Sequence, residues 1–182
     1  MFFFYLTATF AQSIQTMPTE SMAPAIYKGQ KVKLVEIKVI HRGDVVYYNR
    51  PDQDYMGKKV KSGPGVGRII GMPGDKFEIK ESIFYINGSP VKMSKMEKPE
   101  KYSSKLDKAF ANYNFSVFEV THKDLKFLML RDDTPLFVTY PLISIPGGKY
   151  FISGDNYNFS YDSKTFGPVD IKDIPFKVEV IE

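Results

Sequence analysis

Met17-Pro-Thr-Glu-Ser-Met-Ala-Pro-Ala-Ile26 is the stretch on which the reading of this chain turns. Taken alone it is a proline-rich loop, and a serine in such a loop is most often a turn residue or a helix cap. Ser21 gains interest from two distant segments that carry further reactive residues. One is Gly67-Arg-Ile-Ile-Gly-Met-Pro-Gly-Asp75. The other is Tyr150-Phe-Ile-Ser-Gly-Asp-Asn-Tyr-Asn-Phe-Ser-Tyr-Asp-Ser-Lys-Thr-Phe-Gly-Pro-Val169. A serine hydroxyl is a weak nucleophile at neutral pH and needs a neighbouring base to take its proton. Lysine can be that base where burial disfavours its ammonium form.

Around these segments the composition narrows the classes. The 182 residues suffice for one domain with a real core, or for a core domain carrying a modest insertion. Plentiful aromatic and β-branched residues, with recurrent Pro and Gly, favour strands and turns over long helices, so a mostly β fold is expected. Cysteine is absent, which excludes a disulfide framework and a thiolate metal site. Two histidines, His41 and His122, supply a His-based metal site poorly. A net charge of +4 is too small to argue for nucleic acid, and the lysines of 58–61 and 92–108 read as solvated faces.

The apolar run Met1–Ala11 is too short to cross a bilayer, which takes about 20 residues, and it lacks the basic start of a secretory signal. It reads as the end of a transmembrane helix or an interfacial anchor, the alternative being an N-terminal core strand. Residues 31–40 alternate polar and apolar and predict a half-buried strand. His41-Arg-Gly-Asp44 predicts a turn and Val45–Tyr48 a short apolar strand. Residues 52–66 read as a polar loop, marked by Ser62-Gly-Pro-Gly65. Strands are predicted at 68–70, 76–80, 82–86, 149–153 and 176–181, with a hairpin turn at Asn87-Gly88. Ser89-Pro-Val-Lys92 matches a Ser-x-x-Lys signature, but it follows that hairpin rather than opening a helix, and the companion Lys-Thr-Gly is missing.

The Pro-Thr-x-Ser-Met-x-Pro pattern, followed in order by the other two segments, resembles the type I signal peptidases, membrane-bound Ser/Lys endopeptidases. The resemblance covers about half the chain and implies a signal peptidase-like β catalytic domain. By it, Ser21 is the nucleophile, and Thr19 with the Ser21 N–H holds the oxyanion. Met17, Pro18, Met22, Ile26, Gly65 and Val66 contact substrate, and Pro24 and Gly29 fix the turn behind the serine. Ser160 orients the base, while Arg68, Gly154, Asp155, Asn156, Asp162 and Lys164 brace the site. Lys164 stands where the family usually has arginine, so a point charge replaces a planar fork.

One departure is central. The family's second box begins Lys-Arg, and that lysine is the general base; here Gly67 takes its place. A displaced lysine is one explanation, with Lys61 nearest, then Lys59 and Lys58; His41 is a weaker candidate. A relative that binds without cleaving is another. The expected organisation is 1–16 membrane-associated, 17–88 and 146–182 catalytic, and 89–145 a β-rich insertion. The resemblance implies signal peptides of exported preproteins as partners, together with membrane lipid. It places the catalytic domain outside the bacterial cytoplasmic membrane. No metal or organic cofactor and no nucleic acid is implied, and oligomeric state is not legible. A substrate peptide would add as a strand between the segment before Ser21 and that before Arg68.

Overall fold

The structure, a computed structural model, describes residues 13–55, 58–97, 113–133 and 138–181. The expected membrane-associated segment therefore lies, up to residue 12, outside the described residues. Among the described residues, no helix is long and apolar enough to cross a membrane.

The chain is built of strands. In order they are β1 (Ile14–Thr16), β2 (Lys31–Glu36), β3 (Val45–Arg50), β4 (Gln53–Tyr55), β5 (Lys58–Val60), β6 (Gly63–Gly71), β7 (Lys76–Lys80) and β8 (Ile83–Ile86). There follow β9 (Ser89–Pro90), β10 (Lys92–Met96), β11 (Phe115–His122), β12 (Leu125–Asp132), β13 (Tyr140–Ser144), β14 (Lys149–Ser153), β15 (Val169–Asp170) and β16 (Phe176–Val180). Among the described residues one short α-helix, α1 (Ser163–Phe166), and a 3-10 turn at Ile171–Asp173 break the pattern. The mostly β class read from the sequence is what the chain adopts.

The main sheet runs β1-β2-β16-β3-β6-β14-β15. A second sheet runs β13-β7-β8-β9, a third β10-β11-β12, and β4-β5 form a hairpin. The predicted turns form where local chemistry demands them. Asp44 accepts from the His41 N–H through its side chain at 2.6 Å, and Gly43 supplies the positive φ of 92°. Asn87 and Gly88 both take positive φ, 52° and 78°, as a two-residue hairpin requires.

Several boundaries differ from the sequence reading: the apolar strand expected over 45–48 continues through Arg50, and Gln53–Tyr55 and Lys58–Val60, expected in a loop, pair as β4 and β5. The strand expected over 31–40 stops at Glu36, because its partner β16 begins opposite it at Phe176. Residues 63–66 belong to β6 rather than to a loop, paired with β3 from Gly63 opposite Arg50 to Val66 opposite Tyr47. Their other flank is open, since β14 joins β6 only from Arg68 onward. An open flank is where a sheet tolerates proline, here Pro64.

Burial follows the alternation. One apolar cluster joins Ile70, Phe77 and Phe84 to Val120, Phe127 and Met129 and to Ile145 and Phe151. Segments 17–88, 89–145 and 146–182 thus contribute to a common core. Phe77 and Phe151 stack with ring centroids 4.0 Å apart. A second cluster of Met17, Met22, Ile26, Val32, Leu34 and Val178 lies beneath the loop that carries Ser21.

Candidate active site

The Ser21 loop is closed at its base by backbone bonds. Met17 N–H donates to the Gln30 carbonyl and Gly29 N–H to that of Met17, each at 2.8 Å. Met22 and Ile26 are buried, which pins the loop to the core on either side of the serine's neighbours. The Ala23–Pro24 peptide is cis. Pro18 and Thr19 remain exposed and Ser21 half-exposed. The Thr19 hydroxyl donates to Ser21 Oγ at 3.0 Å, and Ser21 N–H reaches back to Thr19 Oγ1 at 3.4 Å. The candidate nucleophile and two candidate oxyanion donors are therefore in one turn.

The third sequence segment meets this loop. Asn156 N–H donates to the Ser21 carbonyl at 3.0 Å, and its side-chain amide to the Glu20 carbonyl at 3.2 Å. Asp155, fully buried, takes both Nε and Nη2 of Arg68 at 2.8 and 2.6 Å, while Arg68 Nη1 donates to the Gly43 carbonyl. That bidentate pair ties β6 to the turn after β14. Gly154 has to be glycine: a Cβ there would sit 2.3 Å from Ser160 Cβ, 2.8 Å from Ser160 Oγ and 2.5 Å from the Ser21 carbonyl oxygen. Ser160 and the Ser21 loop thus close around a single point.

Asp162 is the hub behind Ser160. Its Oδ2 accepts from Ser160 Oγ at 2.6 Å and from Gly154 N–H at 2.8 Å, and it pairs with Lys164 Nζ at 2.5 Å. Its Oδ1 accepts from the Lys164 N–H and so caps α1. Lys164 Nζ also donates to Ser160 Oγ and Ser153 Oγ, each at 3.1 Å, and lies 4.8 Å from the Tyr157 ring centre. Burial pushes the Tyr157 phenol up to about 12.

The space beside Gly67, where the resemblance expects a lysine, is filled from the sides. A Cβ on Gly67 would come within 2.5 Å of Ile152 Cγ2 and 3.4 Å of Tyr48 Cε1. Tyr48 also lies across Gly65, where a Cβ would be 2.8 Å from its ring. The aromatic ring opposite a strand glycine takes the space a side chain there would have used. Tyr48 is fully buried, and burial, with Asp162 adding to it, raises its phenol far above the usual range. It is no base. Nor does Lys61 join the site: it is exposed, beyond the open end of β6, and acts on the exposed Asp52. Lys59 is exposed too, and His41 sits in its exposed turn. The amine tied by hydrogen bonds to this cluster is Lys164.

Ser21 opens on a cavity of about 410 Å³. One wall is β1 and the loop after it (Gln15–Thr19), the opposite wall Pro64, Gly65 and Val66 of β6. Val32, Leu34, Tyr47 and Tyr48 form its floor. Since β1 and β6 are separated by three strands in the sheet order, the sheet curls around this space. Among the described residues both walls present unpaired strand edges, because there β1 pairs only with β2 and 63–66 only with β3. Of the residues named from the sequence as substrate contacts, Met17, Pro18, Gly65 and Val66 line the cavity, whereas Met22 and Ile26 are buried beneath the loop. Tyr48, Arg50, Phe159 and Tyr161 line it as well and were not singled out in the sequence. The alternation along β3 signals which of its side chains point inward, but not what they face.

Among the described residues no cluster of potential ligands could hold a metal ion. The family model described as signal peptidase, peptidase S26, matches residues 1–181. Signal peptidase I V of Bacillus subtilis (strain 168) is 30% identical over 158 residues, covering 85% of this chain and 76% of that protein. Signal peptidase IB of Staphylococcus aureus (strain COL) is 30% identical over 186 residues, covering 96% and 79%. A crystal structure of a signal peptidase I from Enterococcus faecalis V583 aligns at 24% identity with a TM-score of 0.42, over 80% of this chain and 99% of that one.

Proposed function

The chain belongs to the signal peptidase family, peptidase S26, and from that membership we propose that it is a serine endopeptidase of the signal peptidase I kind. It would remove signal peptides from exported preproteins at the outer face of a bacterial cytoplasmic membrane. The observation that carries this reading is the Thr19–Ser21 hydroxyl pair lining a cavity bordered, among the described residues, by two unpaired strand edges. An extended peptide fits such edges by main-chain hydrogen bonding. Ser21 Oγ would attack the scissile carbonyl carbon, with the Ser21 N–H and Thr19 hydroxyl stabilising the oxyanion, each worth about 3–4 kcal/mol of barrier.

The proton acceptor differs from the family pattern. Ser160, hydrogen-bonded to Asp162 and Lys164, meets the Ser21 loop across Gly154 and leads from it to charged groups. In this reading the Ser21 proton passes to Ser160 as the Ser160 proton moves to the Asp162–Lys164 pair, and it returns to the leaving amine when the peptide bond breaks. An ion-paired acceptor is a weaker base than a desolvated amine, so turnover should be orders of magnitude below that of a lysine-bearing relative.

A second reading has its own support. Tyr48 and Ile152 close the side of Gly67 from which the family's amine would project, as in a relative that binds signal-peptide-like segments without cutting them. Incubating the purified chain with a preprotein, beside Ser21→Ala and Lys164→Met, separates the two. Cleavage lost in Ser21→Ala and weakened in Lys164→Met supports the peptidase. Equal, negligible rates with preserved peptide binding support the binding relative.

A further inference from the structure

Arg50 lines the cavity and stands opposite Gly63 in the β3–β6 register, next to the lining residue Pro64. It is the one Lys, Arg or His among the residues lining the cavity. Its Nε donates to the Pro64 carbonyl at 3.1 Å, and its guanidinium carbon lies 5.6 Å from the Tyr161 ring centre. The head group is thus held in place from two sides. No ion pair among the described residues includes it. The single carboxylate lining the cavity, Asp162, is already engaged by Lys164, Ser160 and the Gly154 N–H. A preorganised cation therefore faces the cleft without a counter-charge from the protein.

We propose that Arg50 is a specificity-determining residue, and that it selects substrates carrying an Asp or Glu side chain opposite it in the cleft. The proposal rests on the reading of this cleft as a peptide site. An extended peptide advances about 3.3 Å per residue, so a single position along it should lie opposite Arg50, within the six residues walked below. A planar guanidinium with Nε already fixed offers its remaining N–H groups to both carboxylate oxygens.

The test uses Ser21→Ala, which removes the attacking oxygen, and fluorescein-labelled extended peptides ending in Ala-x-Ala. A single Glu, Gln or Lys is walked through the six positions before that end, and affinity is read by fluorescence anisotropy. With Arg50 present, Glu should bind about tenfold more tightly than Gln at one position in that window. Arg50→Gln should bring the ratio to about one. Arg50→Glu should turn the preference toward Lys, and Arg50→Lys should keep a smaller preference for Glu. Equal binding of Glu and Gln peptides at every position, or a preference that survives Arg50→Gln, overturns the assignment of Arg50 alone. Failure of all the peptides to bind overturns both it and the peptide-cleft reading beneath it.

Discussion

Putting the family's lysine back by Gly67→Lys should fail on its own, and the structure says by how much. The first atom added, a Cβ, meets Ile152 Cγ2 at 2.5 Å, a separation that requires movement. Cγ2 is attached directly to the Ile152 Cβ and is fully buried on β14, so it cannot swing aside like the end of a flexible chain. Overpacking of this kind costs about 1–3 kcal/mol. Losing a glycine from a strand returns about 0.5–1 kcal/mol. The net destabilisation expected for Gly67→Ala is about 1–2 kcal/mol, a Tm lower by roughly 3–6 °C for a domain of this size. Ile152→Ala removes Cγ2, and alone it should cost about 2–5 kcal/mol through the void it leaves. In the double variant the new side chain occupies that void, so the combined loss should fall below the sum by at least about 1 kcal/mol. Urea and thermal unfolding of Gly67→Ala, Ile152→Ala and the pair measure this cycle. The peptidase assay should register a gain for Gly67→Lys with Ile152→Ala, and little for Gly67→Lys alone. A Gly67→Ala chain as stable as the parent, with an additive double, would refute the packing argument.

Arg68 and Asp155 form a nearly dry bidentate pair, so Arg68→Met or Asp155→Asn should each cost about 3–5 kcal/mol in urea unfolding, and the apolar double Arg68→Met with Asp155→Leu markedly less than their sum. His122 has both ring nitrogens sealed from solvent without hydrogen-bond partners, and burial, then Arg42 and Lys123, lowers its affinity for a proton, with Asp124 and Asp75 opposing. The unfolded chain therefore takes that proton first, and stability should be full above about pH 6.5 and fall as pH drops below it; thermal melts from pH 7.5 to 5.5 should show a slope that His122→Phe flattens. Asn156→Ala removes the amide that holds the Glu20 carbonyl, so Ser21 should label more slowly with a fluorophosphonate while Tm falls by only a few degrees. Equal labelling rates would remove Asn156 from the support of that loop.

The parts of this fold legible in the sequence are those decided within a few residues. His41–Asp44 and Asn87–Gly88 needed only their own side chains and positive φ angles, and β7, β8 and β14 only their alternation. The Ser21, Arg68 and Asp155 segments were legible through their order along the chain, and the structure joins them through bonds between residues 87 positions apart. Gly63–Val66 was not legible, because its glycines count as loop signals until Arg50 is placed beside Gly63 and Tyr48 across Gly65. Arg50 escaped notice for a related reason: a charge before a proline looks like solvent-facing punctuation unless the curl of the sheet is known. The reach of segment 89–145 into the core was hidden as well, since Val120 and Met129 show that they are buried but not against what.

Among the described residues the sheet curls until two bare edges confront each other, and in the proposed reading its next strand is supplied by the bound peptide. Backbone amides and carbonyls are common to every polypeptide, so such a seam would accept chains that share no sequence. Discrimination would then rest on the few side chains projecting from its floor and ends. A protein built this way can serve a large and diverse clientele, and its repertoire can be retuned by one or two replacements on β3 while the scaffold stays untouched.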